Sequence, residues 1–211
     1  MDKKTQIDTF GSFIRVSRET ISSLKIYEKE LVMANKTLNL VGKSTINHIW
    51  NRHFLDSAQV IDFIDKNDKT LMDLGSGAGF PGLVLAILLK ERKIGTKIKL
   101  IEKSPKKIKF LNQMIKKLEV NAITYGQNIF DETHKISNDI FVVRAFKPIK
   151  IIFELIHTKA ENWKKIFIYL GKSGKKELFE ASKSWDIEYK QRKSVTSSDS
   201  IVIEINRIKK K

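Results

Sequence analysis

The chain has 211 residues and a mass of 24.4 kDa, which fits one domain of ordinary size. With 41% apolar residues, ten Gly and three Pro it can bury a core, which excludes disordered and fibrous classes. The absence of Cys excludes disulfides, thiolate zinc sites and Cys nucleophiles, and no metal site is expected. The longest apolar stretch, Phe80 to Leu89, has about half the length of a membrane-spanning helix, and no apolar leader follows Met1. We therefore expect a cytoplasmic monomer without membrane contacts.

The charge of the chain is strongly positive. Forty basic and 24 acidic residues give +16 and a pI near 9.8, so nucleic acid is the expected partner. A lysine-rich composition also results from A+T-rich coding, and that alternative stays open. Against it, lysines cluster within residues 97–117, where Glu102 is the only acid. They are Lys97, Lys99, Lys103, Lys106, Lys107, Lys109, Lys116 and Lys117.

The first third of the chain has the pattern of helices. Ser17 is a candidate N-cap, and apolar residues then recur at helical spacing over 21–38. A second apolar series at the same spacing covers 46–64. These series predict an N-terminal helical cap over residues 1–66, followed by a second unit over 67–211.

The rest of the chain alternates short apolar runs with amphipathic helices, the pattern of a parallel sheet covered on both faces. Strands are predicted at 70–74, 97–102, 122–125, 139–144 and 165–170. Ser104 and Pro105 begin the helix after the second strand, and another helix is predicted at 173–184. Alternating runs at 186–195 and 200–208 predict an antiparallel hairpin at the sheet edge. The fold class is therefore α/β.

A glycine-rich segment follows the first predicted strand, at the edge where open parallel sheets bind ligands. It is Asp73-Leu74-Gly75-Ser76-Gly77-Ala78-Gly79-Phe80-Pro81-Gly82. A dinucleotide-binding loop would have its third glycine where Phe80 stands, and Pro81 removes an amide donor beside it. Neither Gly42-Lys43-Ser44 nor Gly171-Lys172-Ser173 has the upstream glycine of a P-loop. Both kinds of phosphate-binding loop are excluded.

What remains is an acidic residue followed by alternating glycines. A carboxylate at Asp73 suits a ligand with an ammonium or sulfonium group rather than phosphates, and S-adenosylmethionine is that ligand. Glu102 ends the second strand, where it can accept both hydrogen bonds of a ribose diol. We therefore expect Asp73, Gly75, Gly77 and Glu102 at a cofactor site. A solvent-exposed strand-end residue is the alternative for Glu102.

Four blocks of sequence resemble one bacterial family. They are Asn39-Leu40, Arg52-His53-Phe54-Leu55-Asp56-Ser57, the glycine-rich segment and Arg144-Ala145-Phe146. Their order and spacing along nearly the whole chain are similar to those of the small-subunit rRNA guanine-N7 methyltransferases, also called glucose-inhibited division protein B. The glycine-rich segment alone indicates only a methyltransferase, whereas the blocks at Arg52 and Arg144 are more specific.

This resemblance implies a Rossmann-like sheet of seven strands with an N-terminal helical cap. It also implies S-adenosylmethionine as methyl donor and a guanine of 16S rRNA, near the decoding centre, as acceptor. The cofactor contacts that it implies fall on Gly75, Phe80, Ile129, Phe130 and Arg144. The chain departs from the family pattern at Asn128, where Arg is usual, and at Gly171-Lys172, where the usual order is inverted.

The implied reaction favours positioning over proton transfer. N7 of guanine carries a free in-plane lone pair and loses no proton on methylation, so no general base is expected. Arg144, at a strand end, is the candidate organiser of the site, and a salt bridge to a neighbouring carboxylate is the alternative. The candidate RNA contacts are Arg52, His53, Lys106, Lys107 and Lys109. For His53 a hydrogen-bonded core residue is the alternative.

Two other classes of function stay open at this point. A methyltransferase for another RNA, a protein or a small molecule would keep the glycine segment and Glu102, although the last two substrates have no use for a lysine-rich helix. A noncatalytic RNA-binding module would keep the lysines and could lose the cofactor site.

Overall fold

The computed structural model describes residues 2–131, 133 and 135–211. Its N-terminal part is helical, as predicted. The helices are α1 (Lys3–Ile14), α2 (Arg18–Leu38) and α3 (Asp56–Ala58), with 3-10 turns at Lys43–His48 and Ile61–Phe63 and a π turn at Trp50–Leu55. Ser17 is the N-cap of α2, and its hydroxyl accepts the amide hydrogen of Thr20.

The second helical stretch differs from the regular helix that its apolar spacing predicts. Between residues 43 and 63 the chain passes through 3-10, π, α and 3-10 turns in succession. The apolar residues still point inwards, because Trp50 and Phe54 are buried and their rings meet edge to face. The wider π turn holds Arg52 and His53, and π turns are frequent at functional sites.

Beyond residue 70, strands and helices alternate. The strands are β1 (Thr70–Leu74), β2 (Lys97–Ile101), β3 (Ala122–Tyr125), β4 (Ile136–Ser137), β5 (Ile140–Arg144), β6 (Ala160–Glu161), β7 (Lys165–Leu170), β8 (Trp185–Lys193) and β9 (Ile201–Lys210). The helices are α4 (Gly82–Glu91), α5 (Pro105–Leu118), α6 (Ile149–Lys159) and α7 (Gly174–Ser182). The five long strands predicted before the hairpin are thereby confirmed, whereas the two-residue strands β4 and β6 were not expected.

Seven strands form one sheet in the order β3-β2-β1-β5-β7-β9-β8. The first five are parallel, and β9 enters antiparallel between β7 and β8, which confirms the predicted edge hairpin. The strand order reverses between β1 and β5, since β2 and β3 lie on one side of β1 while β5 and β7 lie on the other. Ligands of open α/β sheets bind outside the carboxyl ends of the strands at such a reversal.

Successive side chains of the strands point to opposite faces of the sheet and contribute to two buried hydrophobic layers. Leu71 belongs to the layer formed with α2, α4 and α5, and its neighbour Met72 belongs to the layer formed with α6 and α7. The helical cap shares the first layer, and Glu91 at the end of α4 accepts hydrogen bonds from Ser17 and Thr20 at the start of α2. The cap thus packs on the sheet domain directly, and the boundary at residue 66 stays a prediction. In the described ranges no helix is both long and apolar enough to cross a membrane.

Candidate functional site

A cavity of about 540 Å³ opens at the carboxyl edge of the sheet. Its walls come from the loop after β1, the end of β2, the segment 127–130 after β3 and the residues that follow β5. The reversal of strand order leaves this space because the connections from β1 and β5 leave the sheet in opposite directions. The four segments converge here although they are far apart in sequence.

The glycine loop after β1 lies against the cavity through backbone that other residues rarely adopt. Gly75, Gly77 and Gly79 have φ angles of +77°, +57° and +102°. A Cβ atom on Gly75 would overlap the ring of Phe146, and one on Gly79 would come within 2.5 Å of the Tyr27 hydroxyl. Gly75 therefore keeps the loop and the Phe146 ring in close contact at the cavity wall.

Phe80 ends the loop as the centre of an aromatic cluster. Its ring stacks on His53 with centroids 4.8 Å apart and on Tyr27 with centroids 5.4 Å apart. Tyr27, from α2, also donates its hydroxyl hydrogen to the carbonyl of Ala78 at 2.6 Å. The peptide bond between Phe80 and Pro81 is cis. The helical cap thus holds the glycine loop in place through Tyr27 and His53.

Asp73 lies beneath the loop rather than on the cavity wall. Its side chain is fully buried and accepts the amide hydrogen of Gly82 at 2.9 Å, while Oδ1 has no partner among the described residues. Burial raises the pKa of Asp73 to about 7, against the hydrogen bonds from Gly82 and Ser76 that lower it. Instead of the ligand contact expected from the sequence, the carboxylate of Asp73 accepts a hydrogen bond within the protein, from the amide of Gly82, and this bond shapes the loop.

Glu102 faces the cavity and also ties two of its walls together. Oε2 accepts the amide hydrogen of Gly77 at 3.1 Å, and Oε1 accepts that of Ser104 at 2.9 Å. The side chain is 8% exposed, which contradicts the alternative of a solvent-exposed strand-end residue. Each oxygen keeps a further lone pair for a ligand. Glu102 is the only acidic side chain on the described wall of this cavity.

Ile129, Phe130 and Phe146 form an apolar part of the cavity wall. Ile129 is buried, and Phe130 stacks on Phe146 with centroids 5.9 Å apart. Asn128, where the family usually has Arg, lies on the same wall. Flat apolar surfaces of this kind suit a planar aromatic ligand.

Arg144 ends β5 and joins this cavity to the helical cap through one salt bridge and three hydrogen bonds. Nε forms the salt bridge with Asp56 Oδ2 at 3.1 Å, and Nη2 donates to the carbonyl of Arg52 at 2.8 Å and to Nδ1 of His53 at 3.1 Å. Nη1 donates to the hydroxyl of Ser57 at 3.4 Å. A guanidinium has five N–H groups, so one on Nη1 is left without a partner among the described residues. We call Arg144, Arg52, His53, Asp56 and Ser57 the arginine node.

The salt bridge considered for Arg144 is therefore present, and both its side chains are 17% exposed. Arg144 also lines the cavity, so the structural and functional interpretations coexist in one residue. Replacement of Arg144 would leave the Asp56 carboxylate without its cation in a largely buried place, so this arginine also contributes to folding.

His53 is held as the neutral imidazole. Burial, together with the charges of Arg144 and Arg52, lowers its pKa to about 3. Since Nδ1 accepts from Arg144, Nε2 carries the hydrogen and donates it to the Thr45 hydroxyl at 2.9 Å. Both ring nitrogens are used, as the core-residue alternative expects, although the ring also borders the cavity.

The lysine cluster divides into two groups in the fold. Lys103 and Lys107 line the cavity, and Lys106 and Lys109 are exposed on the first two turns of α5. Lys116, at the other end of α5, is roughly 15 Å further along the helix axis. Lys97 lies at the opposite edge of the sheet, where β2 begins. The sequence cluster is thus not one surface, and only its middle part faces the site.

Most of the residues predicted from the sequence meet at this cavity. Those on its wall are Gly75, Gly77, Phe80, Glu102, Ile129, Phe130, Arg144, His53 and Lys107. Arg52 is exposed beside a second, smaller cavity, and Asp73 is buried below the wall. Tyr27, Phe146 and Asp56 were missed as parts of the site; the last two stood in the quoted blocks, and no local pattern singled out Tyr27.

The cavity fits S-adenosylmethionine by its shape and its chemistry. Gly75 and Gly77 bring backbone rather than side chains to the cavity wall, Glu102 offers an acceptor for a diol, and Ile129 with Phe130 offers an apolar surface for a base. The volume of about 540 Å³ lies in the usual range for ligands of this size.

Comparison with known proteins agrees with this geometry. A model of the family described as rRNA small subunit methyltransferase G matches residues 20–204. Ribosomal RNA small subunit methyltransferase G of Pelagibacter ubique is 37% identical over 198 residues, covering 93% of this chain and 92% of that protein. Its namesake from Bartonella henselae is 35% identical over 195 residues, covering 92% of this chain and 90% of that protein.

Solved structures agree at the level of the fold. M. jannaschii TYW2 in complex with AdoMet has a TM-score of 0.55 at 17% identity, covering 77% of this chain and 78% of that chain. The predicted seven-strand methyltransferase sheet and the predicted dependence on S-adenosylmethionine are confirmed. The match over residues 20–204 and the relatives at 37% and 35% identity together show that the chain belongs to the rRNA small subunit methyltransferase G family.

Proposed function

We propose that this protein transfers the methyl group of S-adenosylmethionine to N7 of a guanine in 16S rRNA. The observation that carries the proposal is the joining of two chemically different sides in one cavity. The glycine loop with Glu102 forms a side suited to the donor, and Arg144 at the end of β5 forms the other side with His53 of the helical cap. A cavity with both sides can hold a donor and an acceptor together.

Bound S-adenosylmethionine supplies an activated methyl group on a sulfonium. The residues of this chain that would hold it are Gly75, Gly77, Glu102, Ile129 and Phe130. Glu102 is the only acid on the described cavity wall and His53 is neutral, so neither a second carboxylate nor a cationic imidazole of the described residues lines the cavity. Asp73 supports the loop from below through Gly82.

The side chains at the cavity hold groups in place and remove no proton. Both nitrogens of His53 are engaged, and the guanidinium of Arg144 offers only N–H donors and no acceptor. N7 of guanine needs no base, so alignment of the acceptor is the main contribution and can supply roughly 7 to 11 kcal/mol of the barrier. In this proposal the N–H of Arg144 that has no partner among the described residues donates to a guanine oxygen.

The RNA approaches across a positive mouth. Lys103, Lys107 and Lys147 lie on the cavity wall, with Lys106 and Lys109 beside them on α5. Phosphate contacts of this kind position an RNA without reading its sequence. Because the acceptor base lies in structured RNA, it has to leave its stack to enter the cavity.

The experiment is transfer of a labelled methyl group. The purified protein is incubated with tritiated S-adenosylmethionine and total RNA from a strain that lacks the corresponding gene. We expect label in 16S rRNA, released as 7-methylguanosine on digestion to nucleosides. Label in another RNA, in another nucleoside or in no RNA would contradict the proposal. The monomeric state and the cytoplasmic location stay predictions, and light scattering on the purified protein tests the first.

A further inference from the structure

A second cavity, of about 260 Å³, lies beside the first and shares Arg144 and Ala145 with it. Its other walls come from Asp56 and Gln59 of the helical cap, from the end of β7 and from the turn between β8 and β9. Nothing in the proposed cofactor site uses this space. An acceptor that meets a methyl group in the first cavity has to approach from beside it, and the second cavity is adjacent, because Arg144 and Ala145 line both.

The turn between β8 and β9 presents four hydroxyl side chains to this cavity. They are Ser194, Thr196, Ser197 and Ser200, and we call them the tip hydroxyls. The hydroxyls of Ser197 and Ser200 have no hydrogen-bond partner among the described residues. A hydroxyl can donate and accept, so this wall can pair with the edges of a base or with a ribose 2′-hydroxyl.

Two residues of the helical cap, Asp56 and Gln59, hold this turn in place. Thr196 donates its hydroxyl hydrogen to Asp56 Oδ1 at 2.8 Å, and the amide of Val195 donates to Gln59 at 3.3 Å. The other oxygen of Asp56 forms the salt bridge with Nε of Arg144 at 3.1 Å. Asp56 therefore fixes the turn and the β5 arginine relative to each other on one carboxylate.

We propose that the tip hydroxyls form one wall of the site that holds the target nucleotide, with Thr196 acting through Asp56 as a positioning residue. The proposal rests on the proposed function, because it names where that acceptor sits. Exposed Arg52 lies at the edge of the same cavity and can contact a phosphate of the splayed nucleotide.

The first test narrows the cavity without touching the cofactor side. Ser197→Phe puts a ring into the second cavity, while Ser198→Phe puts the same ring on an exposed neighbour that does not line it. Steady-state methyl transfer is measured with 30S subunits and with 16S rRNA from the deletion strain, and donor affinity by calorimetry. We expect Ser197→Phe to raise the KM for RNA at least about tenfold, with donor Kd changed less than about twofold and Ser198→Phe near wild type.

The second test separates positioning from folding. Thr196→Val keeps the shape of the side chain and removes the hydrogen bond to Asp56, whereas Thr196→Ser keeps the hydroxyl. We expect Thr196→Val to raise the KM for RNA and Thr196→Ser to have a KM near that of the wild type. The melting temperatures of the two variants should be similar. If Ser197→Phe lowers the melting temperature, the comparison of Thr196→Val with Thr196→Ser alone tests the proposal.

The outcomes separate the inference from the function on which it rests. No methyl transfer to RNA by the wild type would defeat the proposed function. An active wild type with equal RNA kinetics in Ser197→Phe and Ser198→Phe, or in Thr196→Val and Thr196→Ser, would overturn only the role of the turn. A parallel loss of donor affinity would also overturn it, because the turn would then belong to the cofactor side.

Discussion

The glycine loop and the arginine node lie in the same cavity but are built differently. The loop is a single run of sequence whose backbone, at Gly75 and Gly77, forms part of the cavity wall. The node joins residues 52–57 to Arg144, which are about ninety positions apart, through side-chain hydrogen bonds. The loop depends on backbone conformation, which one added Cβ destroys, whereas the node depends on a buried charge that must keep its partners.

This difference separates two kinds of failure. Damage to the loop should remove the donor from a protein that still folds, because the loop lies at the edge of the sheet. Damage to the node should weaken folding and acceptor alignment together, because Arg144 and Asp56 connect the cap to β5. Each prediction below probes one side of the comparison.

The largest effect is expected at Gly75. Gly75→Val strains a residue at φ +77° and pushes its side chain against Phe146, which displaces that ring into the cavity. Strain and overpacking of this kind cost roughly 1 to 3 kcal/mol each, so we expect a loss of about 100-fold or more in donor affinity. Calorimetry measures the affinity. Gly95→Val is the matched control, since a Cβ there meets nothing within 4 Å, and equal affinities in the two variants would refute the account of the loop.

Removal of Arg144 should reduce stability. Arg144→Ala leaves Asp56 largely buried without its cation, and we expect the free energy of unfolding to fall by about 2 to 4 kcal/mol. Arg207→Ala removes an arginine that is 58% exposed and pairs at the surface with Asp186, so its loss should stay below about 1 kcal/mol. Urea unfolding compares the two, and a similar small loss in both would show that the node contributes nothing to folding.

The pH dependence of stability tests the buried groups of both regions. The pKa of His53 is lowered to about 3 from 6.5, so its contribution to stability is lost as pH falls from 6.5 towards 3. The pKa of Asp73 is raised to about 7 from 3.8, so its contribution is lost as pH rises from 3.8 to 7. Between pH 4 and 6.5 the two slopes have opposite signs and largely cancel.

Asp73→Asn should therefore expose the slope of His53. We expect its free energy of unfolding to rise by up to about 1.4 kcal/mol per pH unit between pH 4 and 6, while the wild type stays nearly flat. Urea titrations at several pH values measure both proteins. His53→Gln is the complementary control and should slope downwards over the same range. A wild type and an Asp73→Asn variant with the same slope would mean that Asp73 titrates normally.

The smallest effect concerns the lysines outside both regions. Replacing Lys106, Lys107 and Lys109 with Gln should reduce the slope of log affinity for RNA against log salt by about two to three units. The matched control replaces Lys97, Lys99 and Lys116, which belong to the same sequence cluster but lie away from the cavity mouth. Filter binding at several salt concentrations measures the slopes, and equal changes in the two triple variants would attribute them to charge alone.

The glycine loop could be predicted from the sequence because its chemistry is local. Gly75, Gly77 and Phe80 follow a strand at fixed spacing, and that spacing excludes phosphate-binding loops. The contact of Asp73 with Gly82 could not be predicted, because whether a strand-end carboxylate faces inwards or outwards depends on packing below the loop. Phe130 and Ile129 came only from the family resemblance, since no spacing links them to the loop.

Only part of the arginine node could be predicted, because its bonds join segments that are far apart in the sequence. Arg144 and the block around His53 stood out as sequence blocks, but their mutual bonds depend on how the cap packs against β5. The apolar spacing of 46–64 predicted a regular helix, and the observed π turn is what brings the carbonyl of Arg52 to Arg144. The hydrogen bond from Thr196 to Asp56 spans 140 positions and has no local signal at all.

The central claim is that one region holds the donor while the other aligns the acceptor, and Arg144→Lys tests it most directly. The variant keeps the charge near Asp56 but loses the planar set of donors. Donor Kd and the single-turnover rate of methyl transfer to 16S rRNA are measured on one preparation. We predict a Kd within about threefold of wild type and a rate lower by about 30-fold or more, equal to roughly 2 kcal/mol of positioning. A donor affinity that falls as much as the rate would contradict the account, because Arg144 would then belong to the donor side.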